Sequence, residues 1–251
     1  MQTDTLKVLT YNIHKGFNST NRQFILHDIK ESIRQVNADL VLLQEIHGEK
    51  NISKNRFDDW PSNNQFEFLA DEVWHHHAYA KNAIYKSGHH GNAILSKYPI
   101  IEWENIDVSL MQSASRSLLH GTIQLTESRQ HVHVICVHLG LFGMERQQQL
   151  ARLASRIDSH VPHDAPLVIA GDFNDWLGRA ERHFTHDLDV REVFKTTAGH
   201  YARTFPAWLP MLSMDRIYTR GLDLVGCKRL HGDPWRKLSD HIPLMAEFKL
   251  T

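Results

Sequence analysis

The sequence predicts an α/β domain, because short apolar runs alternate with stretches of helical periodicity. The clearest run is the four apolar residues 167–170, which is typical of a strand buried on both faces of a sheet. The clearest helical stretch has apolar residues along one face, at Ile25, Ile29, Ile33 and Val36. We see no linker or internal repeat in the 251 residues, and therefore predict one domain over residues 1–251.

Polar residues follow the run 167–170 directly. Gly171 frees the backbone, and Asp172 and Asn174 lie one residue apart. In an extended segment such residues point to the same side, and α/β sheets bind ligands at the carboxyl ends of their strands. The pattern therefore indicates a site, with an ordinary turn as the alternative because Asp and Asn are common turn formers.

Alternating or continuous apolar residues predict further strands. They span residues 6–11, 38–43, 78–85, 91–95, 100–108, 118–125, 131–138, 214–218, 222–229 and 242–250. Residues 66–74 and the stretch containing Leu150, Leu153, Ala154 and Ile157 are predicted helices, and residues 47–64 a polar loop. The apolar loop 204–212, with Trp208, is open to two interpretations: packing on the protein's own core, which we favour, or contact with a lipid or a base.

Composition restricts the classes of protein that fit. Lys and Arg total 28 against 29 Asp and Glu, so the net charge of −1 lacks the basic excess of a sequence-independent DNA binder. Two cysteines are too few for a disulfide framework. Neither a signal-peptide core nor a run of 18 apolar residues is visible. We expect a cytoplasmic protein without stable membrane insertion, and the sequence predicts no protein partner.

Eight polar residues lie at predicted strand ends or just beyond them: Asn12, Glu45, His138, Asp172, Asn174, Asp215, Asp240 and His241. Mg²⁺ takes oxygen ligands from a few carboxylates and leaves positions for water and phosphate. Histidine with a carboxylate partner transfers protons, and amides stabilise charge on a phosphoryl group. The set therefore fits metal-assisted phosphoester hydrolysis. Arg116 lies just before the predicted strand 118–125, where its side chain either binds a phosphate or forms an ion pair on the surface.

The motifs that carry these residues also occur in a specific order. They are residues 9–13 (LTYNI), 44–45 (QE), 91–96 (GNAILS), 137–139 (VHL), 171–174 (GDFN), 214–217 (MDRI) and 239–241 (SDH). Together they resemble the endonuclease/exonuclease/phosphatase superfamily over nearly the whole chain. The resemblance implies a four-layered α/β sandwich, in which two mixed sheets pack face to face with helices outside and the site lies at one end.

The same resemblance implies a metal site. Glu45 is expected to be the principal ligand, with Asn12 and Asp240 close to the ion. The expected ion is Mg²⁺, with Mn²⁺ as the alternative, acting as Lewis acid and template.

Roles for the remaining residues also follow from the resemblance. Asp172 is expected to position or deprotonate the attacking water, and Asn174 to bind the phosphate. His241, oriented by Asp215, is expected to act on the phosphoryl oxygen or as acid–base. His138 is expected to contact the phosphate or assist the leaving group. Arg116 is a further candidate for phosphate binding.

The motifs also bear on the branch of the superfamily. Residues 44–47 (QEIH) lack the lysine of the Gln-Glu-x-Lys pattern of abasic-site endonucleases. The segments 11–13 and 137–139 are similar instead to the deoxyribonuclease, sphingomyelinase-like and lipid-associated branches. We predict a divalent-metal-dependent hydrolase that cleaves a phosphodiester of a small molecule or a phospholipid head group.

Two alternatives remain open. The first is a nonspecific nuclease acting on DNA or RNA, which would need a local basic face. That face would use Arg146, Arg152, Arg229, Arg236 and Lys237. The second is an inactive binding module of the same fold, against which the completeness of the polar set argues.

Overall fold

A computed structural model describes residues 5–48, 64–71, 73–85, 88–110, 116–125, 130–184 and 188–250. These residues form two six-stranded sheets. The first contains β1 (Thr5–Asn12), β2 (Leu40–His47), β3 (His76–Tyr85), β4 (Gly88–Ser96), β11 (Asp223–Arg229) and β12 (Leu244–Lys249), in the order β11-β12-β1-β2-β4-β3. The second contains β5 (Ile100–Asp107), β6 (Ser117–Gln124), β7 (His131–His138), β8 (Leu167–Asp172), β9 (Arg191–Glu192) and β10 (Asp215–Arg220), in the order β5-β6-β7-β8-β10-β9.

Six helices accompany the sheets in the described part of the chain. They are α1 (Leu26–Val36), α2 (Gln65–Ala70), α3 (Gly143–His160), α4 (Glu181–Phe184), α5 (Val193–Ala198) and α6 (Trp235–Leu238). The apolar stripe of α3 is buried at Leu150, Leu153 and Ile157, as its periodicity predicts. No described helix combines the length and apolar character that crossing a bilayer requires.

The strands lie between two apolar layers, which explains their near-continuous apolar sequences. In β8, Val168 and Ala170 pack between the two sheets, whereas Leu167 and Ile169 pack outward with α3. The strands β1 and β2 of the first sheet alternate in the same way, with their outward residues packed against α1. Because successive side chains point to opposite faces, a strand covered on both faces is apolar at every position. The prediction of two mixed sheets packed face to face with helices outside is confirmed.

Two parallel strand pairs bring the polar strand ends to one edge of the sandwich. β1 pairs with β2 in parallel, and β7 pairs in parallel with β8, where His138 lies opposite Asp172. β10 runs antiparallel to β8 and begins at Asp215, which also lies opposite Asp172. The residues that end β7 and β8 therefore meet the residue that begins β10.

The structure corrects some expected boundaries. β2 does not end at residue 43 but continues to His47, so Glu45 lies within a strand. The helix predicted over 66–74 ends at Ala70, and the last strand begins at Leu244, which leaves Asp240 and His241 in a loop. Most of the predicted polar loop, residues 49–63, lies outside the described residues.

The favoured interpretation of the loop 204–212 is wrong. Trp208 is 63% exposed, Leu209 50% and Met211 56%, so these side chains do not pack on the core. The loop closes on itself through backbone hydrogen bonds, including Thr204 and Phe205 N–H to the carbonyl of Leu212, and it presents these three large side chains outward while Ala207 is buried.

Candidate active site

Gly171 sets the position of Asp172. Its φ is +146°, a conformation that favours glycine, and a Cβ at this position would lie 2.0 Å from the carbonyl oxygen of Val137. The absence of a side chain therefore lets β8 approach β7 closely at the point where both strands end.

The carboxylate of Asp172 lies at the centre of the buried polar residues. Its Oδ2 accepts a hydrogen bond from Asn12 Nδ2 at 3.1 Å, and its Oδ1 accepts one from the backbone N–H of Asn174 at 2.9 Å. The same Oδ2 lies 3.6 Å from His138 Nε2 and 3.8 Å from His241 Nε2. Burial raises the pKa of Asp172 to about 7, and the charge of Asp215 adds to this although His241 opposes it.

His241 is held between two carboxylates. Its Nδ1 lies 2.9 Å from Asp215 Oδ2, and its backbone N–H donates to Ser239 Oγ, which itself donates to the carbonyl of Asn12. Burial lowers the pKa of His241, but Asp215 and Asp172 outweigh this and raise it to about 10. The imidazole is therefore protonated at neutral pH, with Nδ1–H directed to Asp215.

Asn174 connects the segments that follow β7 and β8. Its φ is +50°, and its Nδ2 donates to the carbonyl of Leu139 at 2.9 Å. One hydrogen of the amide is used in this contact, which leaves the second for another acceptor.

A bulge in β2 directs Glu45. Leu43 lies opposite Ala93 and Ile46 opposite Gly91, so two residues of β2 oppose one residue of β4. Within the bulge Glu45 has a φ of +58°, which is uncommon for a non-glycine residue and typical of functional sites.

Glu45 faces a cation. Its Oε2 lies 3.1 Å from Lys15 Nζ, a side chain that is 38% exposed. Burial raises the pKa of Glu45, but the neighbouring His138 and Lys15 side chains outweigh burial and lower it to about 2. Glu45 is therefore ionised at neutral pH, as a metal ligand must be.

His138 and Arg116 are linked electrostatically. His138 is 4% exposed, and burial together with the charge of Arg116 lowers its pKa well below the ordinary value. The His138 ring is therefore neutral at pH 7. Asp240 lies at the edge of the candidate site, where its Oδ1 is 3.8 Å from His14 Nδ1.

Comparison with known proteins identifies the family of the chain. The model of the Endonuclease/Exonuclease/phosphatase family matches residues 9–241. The chain belongs to this family. Members of the family are hydrolases that act on phosphoester bonds, and they generally depend on a divalent metal.

Relatives cover the chain almost completely. It is 43% identical over 249 residues to "Uncharacterized protein YbhP" of Escherichia coli (strain K12), covering 99% of this chain and 98% of that protein. The endonuclease/exonuclease/phosphatase structure from Beutenbergia cavernae superimposes with a TM-score of 0.78 at 19% identity, over 98% of this chain and 72% of that one. The humanized TDP2 of D. rerio gives 0.73 at 22% identity, over 98% and 99%. At these identities the two structures establish the fold alone.

The family's metal dependence raises the question of which atoms would bind the ion. Among the described histidine, cysteine and acidic residues, the group whose ligand atoms lie within 4.8 Å of one another is Asp172, Asp215 and His241. The metal ligands expected from the sequence, Glu45 and Asp240, lie outside it.

The sequence analysis missed Lys15. Residues 14 and 15 lie in a 3₁₀ turn with positive φ angles of 46° and 60°. The sequence feature that could have identified Lys15 is its positive charge, three residues after Asn12, which is the last residue of β1.

Proposed function

We propose that the chain is a divalent-metal-dependent hydrolase that cleaves a phosphodiester of a small molecule or a phospholipid head group. The observation that carries the proposal is the carboxylate of Asp172, which is held within 4 Å of side chains from three other segments: Asn12, His138 and His241. A buried carboxylate that is confined by a protonated and a neutral histidine is suited to proton transfer during hydrolysis.

The donor set favours a hard cation near Glu45. Glu45 is ionised and its lysine partner is partly exposed, so a metal can replace the ammonium group without leaving a charge buried. Glu45, Asn12 and Asp240 would supply the oxygen atoms that Mg²⁺, or Mn²⁺, prefers. When bound, the ion supplies Lewis acidity and orients the substrate.

The remaining residues would act on water and phosphate. Asp172, with a pKa of about 7, would accept the proton of the attacking water. His241, protonated and oriented by Asp215, would donate a hydrogen bond to the phosphoryl oxygen as charge develops there. The free amide hydrogen of Asn174, neutral His138 and Arg116 would contact the phosphate.

The alternative of a nuclease loses support from the arginines and lysine that its basic face would need. Arg146 is 2% exposed and donates to the carbonyls of Gly140 and Leu141. Arg236 and Lys237 both lie against Asp233, at 4.0 and 2.7 Å. A basic stripe that follows a nucleic-acid backbone requires unpaired cations along one face, and these three residues do not provide it.

The test is hydrolysis of bis(p-nitrophenyl) phosphate by the purified full chain in a Mg²⁺ titration, with a chelator control. We expect metal-dependent turnover, and expect Glu45→Gln to raise the Mg²⁺ concentration at half-maximal rate, because a ligand charge is lost. Glu31→Gln, on the exposed surface of α1, is the matched control. An unchanged metal titration in Glu45→Gln would remove Glu45 from the metal site.

Nicking of supercoiled plasmid separates the two enzyme alternatives. Nicking that requires Mg²⁺ and disappears in His241→Ala would favour the nuclease. Turnover of the small diester without nicking would favour the proposed substrate class.

A further inference from the structure

The large apolar side chains that the structure exposes are concentrated at the end of the molecule that carries the candidate site. Of eleven such side chains among the described residues, eight lie in three segments, 139–144, 173–178 and 205–212. We call these eight the apolar rim: Leu141, Phe142, Met144, Trp176, Leu177, Trp208, Leu209 and Met211. Monomeric proteins rarely expose a large apolar patch without an interaction that uses it.

The topology places the three segments together around the site. The first follows His138 and the second follows Asp172, at the ends of two parallel strands. The third leads into Asp215, which lies opposite Asp172. Hydrogen bonds join the segments to the site, from Asn174 Nδ2 to the carbonyl of Leu139 and from Ala207 N–H to the carbonyl of Asp240.

The rim is held in its exposed position by the backbone. In the third segment the N–H groups of Met211 and Leu212 donate to the carbonyl of Phe205, and that of Leu209 donates to Pro206. In the first segment, Arg146 Nη1 donates to the carbonyl of Leu141 at 2.8 Å. These bonds hold the backbone of the first and third segments in the conformation that exposes their apolar side chains, which are therefore accessible to a partner.

Charge around the rim favours an anionic partner surface. The only acidic residue in the three segments is Asp175, which is 1% exposed. Arg179, which directly follows the second segment, is exposed. A cleft of about 720 Å³ beside the rim is lined by Trp176 and Met211 together with Arg203 and Arg229, and its lining contains no acidic residue.

The side-chain types discriminate between partners. Five of the eight rim residues are leucine or methionine, which offer no flat ring on which a nucleic-acid base could stack. Aliphatic side chains with Trp and Phe among them are the composition that inserts at the boundary between lipid head groups and acyl chains. A second copy of the chain on this surface would obstruct the entrance to the site.

We infer that the apolar rim docks the protein on the surface of a phospholipid bilayer containing anionic lipids, with the candidate site facing the head groups. The inference of docking depends on the apolar rim alone. The assignment of a lipid-borne phosphodiester as substrate rests also on the proposed function. The cleft with Arg203 and Arg229 lies where anionic head groups would reach the protein.

The test is flotation of the full-length protein with vesicles of phosphatidylcholine alone and of phosphatidylcholine with one-fifth phosphatidylglycerol. We expect binding to the anionic vesicles, and expect the triple variant Phe142→Ser, Met144→Ser, Trp208→Ser to lower the partition coefficient at least about tenfold. The matched control replaces the three exposed large apolar residues that the described part of the chain carries outside the rim, as Ile101→Ser, Trp103→Ser, Val225→Ser. This control should bind as the wild type does.

Absence of flotation of the wild type would overturn the inference, and so would an equal loss of binding in the rim and control variants. It would also be overturned if the wild type does not bind vesicles but forms a dimer, or binds single-stranded DNA, and the rim variant loses that interaction. Turnover of bis(p-nitrophenyl) phosphate is measured in parallel. It should be unchanged in the rim variant, which shows that the variant is folded. Vesicle binding by a wild-type protein without this turnover would contradict the proposed function and leave docking intact.

Discussion

Two buried histidine groups, one at the candidate site and one in the second sheet, have opposite protonation. At the site end, His241 lies against Asp215 and its pKa is raised to about 10. On the outer face of the sheet, His120 Nδ1 accepts a hydrogen bond from Arg156 Nε at 3.2 Å and its Nε2 lies 3.1 Å from His133 Nδ1. Burial and the neighbouring charges of His133 and Arg156 lower the pKa of His120 to about 3.

The comparison shows that neighbouring charges, rather than the degree of burial, account for the difference in charge between the two histidines. His241 and His120 are 6% and 5% exposed, and burial lowers the pKa of both. Two carboxylates overcome this effect at His241, whereas a guanidinium and a second imidazole add to it at His120. Of these two histidines, the one that keeps a buried positive charge lies at the end of the sandwich where a developing negative charge would use it.

The largest expected effect is on turnover. His241→Ala should lower kcat by roughly 10²- to 10⁴-fold, which is typical of a positioned acid–base group. His120→Ala, an equally buried histidine, should leave kcat within about twofold. Comparable losses of kcat in both variants would mean that the two groups differ in charge but not in function.

The carboxylate partner of His241 provides the second test. In Asp215→Asn the pKa of His241 should fall by roughly 1 to 3 pH units, because the largest favourable charge is removed. An NMR titration of the imidazole resonances measures this directly. Retention of a pKa near 10 would show that Asp172 alone keeps the ring protonated.

The smallest effect is on stability in acid. The folded pKa of His120, about 3, lies below its ordinary value of 6.5, so the unfolded chain takes up a proton first as the pH falls. Stability contributed by the neutral ring is therefore complete above pH 6.5 and is lost below it, by about 1 kcal/mol between pH 6.5 and 5.5. Denaturant unfolding at both pH values should show a smaller pH dependence in His120→Gln.

His241 should behave in the opposite way. Its folded pKa is raised, so its contribution to stability is complete below pH 6.5 and is lost as the pH rises through about 10. A shallower loss of stability in alkaline solution for His241→Gln, measured by denaturant unfolding, would verify the sign of this comparison. The same alkaline profile as the wild type would contradict it.

The strand ends could be predicted from sequence because local pattern and burial agree there. Residues 167–170 are apolar at every position since β8 is covered by the other sheet and by α3, and Asp172 follows where that cover ends. The same agreement holds for Asn12, the last residue of β1, and for His138, the last of β7. Together with the order of the motifs, these residues were sufficient to predict the fold and the family.

What the sequence by itself determined is which residues lie on which face of which strand, because that depends on a period of two and on the solvent-transfer energy of each side chain. Tertiary structure alone decided three features: the bulge that directs Glu45, its pairing with Lys15, and the exposure of Trp208. The first two depend on contacts between segments distant in the sequence, and the third on the closure and anchoring of one loop. The loop 204–212 is rich in apolar residues, and its own hydrogen bonds together with the anchor at Asp240 hold Trp208, Leu209 and Met211 outside the core.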